Sequence, residues 1–118
     1  VHKTAALLAS EGDLEKLADL IENQGDLAML QRYESAFLEE KKDFVKLQYT
    51  TFLNQYLSEH FGAPAAQHVR LRLSDLLQKG EEEMVMKIIR ELTTSFPERI
   101  SLPGELAELF PRSKRKMI

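Results

Sequence analysis

Residues 43–64 read DFVKLQYTTFLNQYLSEHFGAP. Val45, Tyr49, Phe52 and Tyr56 recur at spacings of three and four, with Leu53 beside them. That is the period of a helix face, since a half-buried strand would alternate every two residues. Phe44 and Leu47 fall on other faces, and a helix that is apolar on more than one side is usually sandwiched between neighbours. The spacing therefore predicts a central helix over about 43–61. Seven of the nine aromatic residues lie between Tyr33 and Phe61, so the core is expected to centre on this helix and the one before it. The stretch also carries its own ending. Gly62 suits a left-handed C-cap, and Pro64 suits the first turn of the next helix, where its absent N–H is not missed.

Downstream, Ala66, Val69, Leu73, Leu76 and Leu77 predict a helix over about 64–78, closed by Gly80. Met84, Val85, Ile88, Ile89 and Leu92 predict another over about 81–95. Glu81, Glu82 and Glu83 open it, and acids in a first turn complement the positive end of the helix dipole. So short a link forces an antiparallel hairpin. Pro97 ends it, Ser101 is expected to cap a last short helix with Pro103 in its first turn, and Pro111 ends the folded part. Upstream, Leu14, Leu17, Ala18 and Ile21 mark a helix over about 13–23, and Leu27, Leu30, Tyr33, Phe37 and Leu38 one over about 26–40. Both follow a Gly-Asp-Leu, at 12–14 and 25–27, with Asp13 and Asp26 as expected N-caps. The 13-residue offset is one helix and a turn, shorter than the helix-pair repeats of solenoids.

The composition agrees. The chain has 118 residues, the size of one domain. Leucine occurs 19 times, against nine valines and isoleucines combined, which favours helix over strand. There is no cysteine, so disulfides, thiolate metal sites and cysteine nucleophiles are excluded. No apolar run approaches the roughly 18 residues of a membrane span, and the Ala5–Ala9 stretch is short for a secretory signal. A cytoplasmic protein is expected. A start at Val1 rather than methionine reads as a piece of something longer.

The net charge is −3, but Arg112, Lys114, Arg115 and Lys116 form a basic tail with no acid, which leaves the remainder at −7. An acidic body argues against a broad nucleic-acid-binding face. The tail is a candidate nucleic-acid contact, although no aromatic interleaves its cations for base stacking. The alternative is a disordered, solubilising terminus.

Residues with catalytic potential are scattered. His60 and His68 flank the Gly62–Pro64 turn, with Glu59 and Asp75 near in sequence. Zinc ligands on a helix stand three or four residues apart, whereas eight residues and a break separate these two. His60 near a helix C-terminus is favoured by the dipole, and His68 beside Arg72 and Asp75 reads as solvated surface. There is no Gly-rich phosphate loop and no nucleophile elbow. Adjacent acids such as Glu39-Glu40 point about 100° apart on a helix and read as exposed charge. No enzyme, cofactor or metal site is expected.

Three stretches carry a family resemblance: Tyr33-Glu-Ser-Ala-Phe37; Tyr49 with Tyr56-Leu57 and His60-Phe61-Gly62; and the run Phe96-Pro-Glu-Arg-Ile-Ser-Leu-Pro-Gly-Glu-Leu106. Their order from Leu8 to Leu109 resembles the helical C-terminal region of SWIM zinc-finger proteins. Phe96 stands where that family has tyrosine, and Ala63-Pro64-Ala65-Ala66 replaces its basic, aromatic segment. The resemblance implies a right-handed, tetratricopeptide-like array of helix hairpins. It also implies a zinc finger upstream of Val1, since its cysteines are absent here, and partners that are proteins or nucleic acid, Snf-type helicases among the associations.

Together these readings predict an all-α array of about six antiparallel helices, with residues 1–111 as one domain and 112–118 as the tail. The expected function is a non-catalytic protein-interaction or scaffold module. The alternative is an accessory nucleic-acid-binding domain that uses the tail or a missing zinc finger. No membrane association is expected. Without cysteine or a spaced histidine set, the domain should fold metal-free. Thermal melts with and without a chelator are expected to coincide, and a drop of several degrees with chelator would reveal a structural ion.

Overall fold

A computed structural model describes residues 2–110. Among them are seven helices and no strands: α1 (His2–Glu11), α2 (Leu14–Gln24), α3 (Leu27–Glu40), α4 (Lys42–Glu59), α5 (Gly62–Gln78), α6 (Glu82–Ser95) and α7 (Ser101–Ala107). The chain is all-α, as its spacing predicts, and six of the helices fall where the sequence places them. The first, α1, has no counterpart in the sequence reading. Its apolar residues form a single short cluster, and only Ala5 among them is buried. Contacts gather the chain into two compact units, one up to Phe52 and one from Leu53 onward, so the division falls inside α4.

In the first unit α1 packs on α2, and α2 on α3. Leu17, Ile21, Leu30 and Phe37 are fully buried. The Phe37 and Phe44 rings meet at 5.0 Å in a tilted arrangement, so Phe44, read from the sequence as lying off the main face, belongs to an aromatic pair. Such pairs add about 0.5–1.5 kcal/mol beyond area burial. The same unit buries polar groups. The Tyr49 hydroxyl donates to Glu34 Oε1 at 2.5 Å and accepts from Gln31 Nε2 at 3.1 Å. Glu34 and Tyr49 are both fully buried.

Along α4 the buried side chains are Val45, Gln48, Tyr49, Leu53 and Leu57. Phe52 and Tyr56, expected in the core, are half-buried, and Leu47 is exposed. The helix thus buries one broad stripe rather than two faces. Leu53 and Leu57, not Phe52 and Tyr56, continue that stripe past Tyr49.

The two Gly-Asp-Leu repeats use their glycines differently. Gly12 has φ +74° and ends α1 in a Schellman motif: its N–H reaches Ala9 O at 3.1 Å, and the Asp13 N–H reaches Leu8 O at 3.0 Å. Gly25 is extended at φ −94°. A Cβ there would stand 2.8 Å from Ile21 Cα and 2.9 Å from Ile21 O, so the end of α2 has no room for a side chain. The aspartates act alike. Asp13 accepts from the Lys16 N–H at 3.2 Å and Asp26 from the Met29 N–H at 2.9 Å, each satisfying an orphan donor of a first turn.

In the second unit α5 packs against both α6 and α7, which also touch each other. Gly80, at φ +85°, closes α5 as expected. Its N–H reaches Leu77 O at 3.0 Å, the Glu81 N–H reaches Leu76 O at 3.2 Å, and the chain reverses into α6. Val69, Leu73, Val85, Ile88, Leu92 and Leu106 fill the interior. Arg70 Nε and Glu105 Oε1 join α5 to α7 at 2.8 Å. Ser101 does not cap α7. It is the first helical residue, Ile100 before it is itself helical at φ −59°, and no side chain caps the turn. The chain enters α7 through a continuous series of turns, in which the Leu102 N–H finds Arg99 O at 3.1 Å. A side-chain cap is therefore redundant there.

The paired glycines give a direct test. Gly12→Ala is expected to destabilise by about 1 kcal/mol through its left-handed backbone alone, and Gly12→Asn by less, because asparagine tolerates that region. Gly25→Ala should cost about 1–3 kcal/mol through overpacking, with Gly25→Asn no better. Urea denaturation of the four variants measures the contrast.

Candidate protein-interaction surface

The last turn of any helix leaves carbonyls without intrahelical partners. At the end of α4 they are taken by an arginine from the link between α6 and α7. Arg99 Nη1 donates to His60 O at 2.8 Å, and Nη2 donates to Leu57 O. The planar guanidinium spans both carbonyls, and its charge sits at the negative end of the helix dipole. Two aromatic rings hold it: Arg99 Cζ lies 4.4 Å from the Phe61 ring centre and 5.2 Å from that of Phe96, both within cation–π range. Only 13% of the Arg99 side chain is exposed.

The residues around this clamp are open. Phe61 is 68% exposed and Ile100 is 89% exposed. Phe61 follows the end of α4, where Gly62 turns the chain at φ +77°, and one face of its ring is committed to Arg99. The result is an exposed aromatic stacked on a fixed arginine, with an exposed aliphatic as that arginine's neighbour in the chain. Interfaces concentrate binding energy in aromatic and arginine side chains, and rigidity lowers the entropic cost of binding.

Beside the clamp, Tyr56 stands between the two histidines. Its ring lies 4.0 Å from that of His60 at 9°, and 4.2 Å from that of His68 at 25°. The sequence left these histidines apart; the α4–α5 turn brings both onto one tyrosine. Both imidazoles stack on the same tyrosine ring. Among the described residues no group of three or more metal-ligating side chains is gathered. His60 Nδ1 donates to Tyr56 O at 2.9 Å, while His68 Nε2 accepts from Arg72 Nε at 3.4 Å. Burial pushes the His68 imidazole below its ordinary value of 6.5, and Arg72 and then His60 push it further.

The first unit carries a concavity of a different kind. A cleft of about 750 Å³ is walled by Glu15, Asp19, Glu22, Glu39, Glu40 and Asp43, against Lys41 and Lys42. Glu39 and Glu40 are exposed, as their adjacency predicts. This wall would repel phosphate. The basic residues Arg112, Lys114, Arg115 and Lys116, the sequence's candidate nucleic-acid contact, lie outside the described residues. Among the described residues no helix is long and apolar enough to cross a membrane.

Sequence reasoning missed the Arg99 clamp. Its signal is faint: a lone arginine two residues after Pro97, whose target carbonyls lie 39 and 42 residues earlier. Arg99→Ala is expected to lower stability by about 2–4 kcal/mol, since two charge-assisted bonds are lost and two carbonyls are left unpaired. Arg99→Lys should recover less than half, because one ammonium cannot serve as a planar fork. Full recovery in guanidinium melts would assign the effect to charge alone. Comparison with protein-family models, with curated proteins and with solved structures finds no match to this chain.

Proposed function

We propose that the chain is a non-catalytic protein-interaction module that docks a protein partner on the surface formed by Phe61, Arg99 and Ile100. The observation that carries this reading is the exposure of Phe61 and Ile100 beside an arginine fixed by two backbone carbonyls. In this reading the chain is the tetratricopeptide-like partner region of a larger, cytoplasmic SWIM-type protein, supported by the Phe96–Leu106 run, which supplies both Arg99 and Ile100. The acidic cleft of the first unit weighs against the alternative, nucleic-acid binding through the tail.

A photo-crosslinking residue placed at Phe61 should trap a discrete protein, insensitive to salt, and Ile100→Ser should abolish the product. The same probe at Leu71, exposed on α5, should trap nothing comparable. Equal trapping at both positions would overturn the assignment of the surface. Duplex DNA separates the alternative: if the tail binds it, removing residues 112–118 flattens the plot of log affinity against log salt by roughly three to four units. Tight, salt-sensitive binding that vanishes with the tail would overturn the protein-docking reading.

A further inference from the structure

The histidine–tyrosine–histidine stack at the α4–α5 corner holds two titratable rings and an arginine in a half-buried cluster. Its hydrogen bonds fix one protonation state. A guanidinium has only donors, so the Arg72 Nε contact at 3.4 Å requires a lone pair on His68 Nε2. That contact is open only to a neutral His68 with its proton on Nδ1. His60, by contrast, gives its Nδ1 proton to a carbonyl, an arrangement open to both the neutral and the charged ring.

We propose that His68 is a pH-operated latch on the α4–α5 corner: neutral, it joins Arg72 to the Tyr56 stack, and protonated, it forfeits that bond and becomes a second cation beside Arg72. The groups that act on it come from each side. From α5 itself there is Arg72, one turn away, with Asp75 the next titratable group along that helix. From α4 there are the Tyr56 ring and His60, which becomes a further cation when it too is protonated. From the link between α6 and α7, Arg99 reaches the backbone of His60. From α7, Glu105 is paired with Arg70 at 2.8 Å, and Arg70 lies about 200° around α5 from His68. Burial, Arg72 and His60 favour the neutral ring, while the Tyr56 face, common to both histidines, attracts a cation.

The sign follows. A histidine whose folded pKa is depressed contributes stability that is fully present above its unfolded value, here the ordinary 6.5, and lost as pH falls through the folded value. The loss should begin near 6.5 as the pH falls. The latch would loosen the end of α4 and the start of α5 in mildly acidic conditions and leave them closed at neutral pH.

The test uses the full chain and no partner, so its outcome is independent of the docking surface proposed above. Histidine ring-proton NMR should give His68 a midpoint below the ordinary value of about 6.5. The melting temperature should fall as the pH is lowered from about 7.5 to about 5.5, and amide protection factors in residues 56–68, taken relative to the intrinsic exchange rate at each pH, should fall over the same interval. His68→Gln, which keeps a neutral acceptor for Arg72 at every pH, should remove more than half of that fall. If His68→Gln does not fold, Arg72→Gln serves instead: it should raise the His68 midpoint and shrink the fall. A His68 midpoint at or above the ordinary value would overturn the proposal. So would a full pH dependence retained in His68→Gln or, where that variant does not fold, in Arg72→Gln.

Discussion

The second unit depends on how the end of α4 is satisfied. Helix termini are the costly part of an all-helical chain, because each leaves backbone groups that neither the helix nor an apolar neighbour can pair. Four ends here are closed locally, by Gly12 and Gly80 in Schellman turns and by Asp13 and Asp26 at N-termini. The end of α4 is closed from a distance, by Arg99. That choice has structural effects. It ties the α6–α7 link to the α4–α5 corner, gives Phe61 and Phe96 a cation to stack on, and leaves most of Phe61 and Ile100 facing solvent. The candidate surface is in that sense a by-product of a capping problem.

What could be read in the sequence was what is local. The apolar period placed six helices, and the glycines and aspartates at 12–13, 25–26, 62 and 80 marked their limits, because caps and turns depend on a few neighbouring residues. Helix α1 was not legible because it buries too little to show a face, only Ala5 being inside. Phe52 and Tyr56 were misplaced because periodicity gives the direction of a stripe and not its width. Leu53 and Leu57, one residue on, take the buried positions.

The site was mostly not legible. The arginine and its two carbonyls lie 39 and 42 residues apart, and no spacing rule links an arginine in a link to carbonyls at a helix end. Ser101 shows the same limit. As a residue type it is a good cap, but the preceding turn already supplies the pairing, and only the backbone path reveals that. The histidines are an intermediate case. Their flanking of Gly62 was plain, yet their meeting on Tyr56 depends on how α5 folds back after the turn.

The buried Glu34–Tyr49 contact bears on uniqueness more than on stability. An all-leucine seam between α3 and the start of α4 would accept several registers of nearly equal energy. With a carboxylate and a phenol inside it, only the alignment that brings the Tyr49 hydroxyl to Glu34, with Gln31 alongside, leaves no polar group stranded in apolar surroundings. A slip by one turn would keep the leucines packed and strand an acid. The pair thus acts as a key that rejects near-miss packings of a leucine-rich chain, selecting one state from many that are equally greasy.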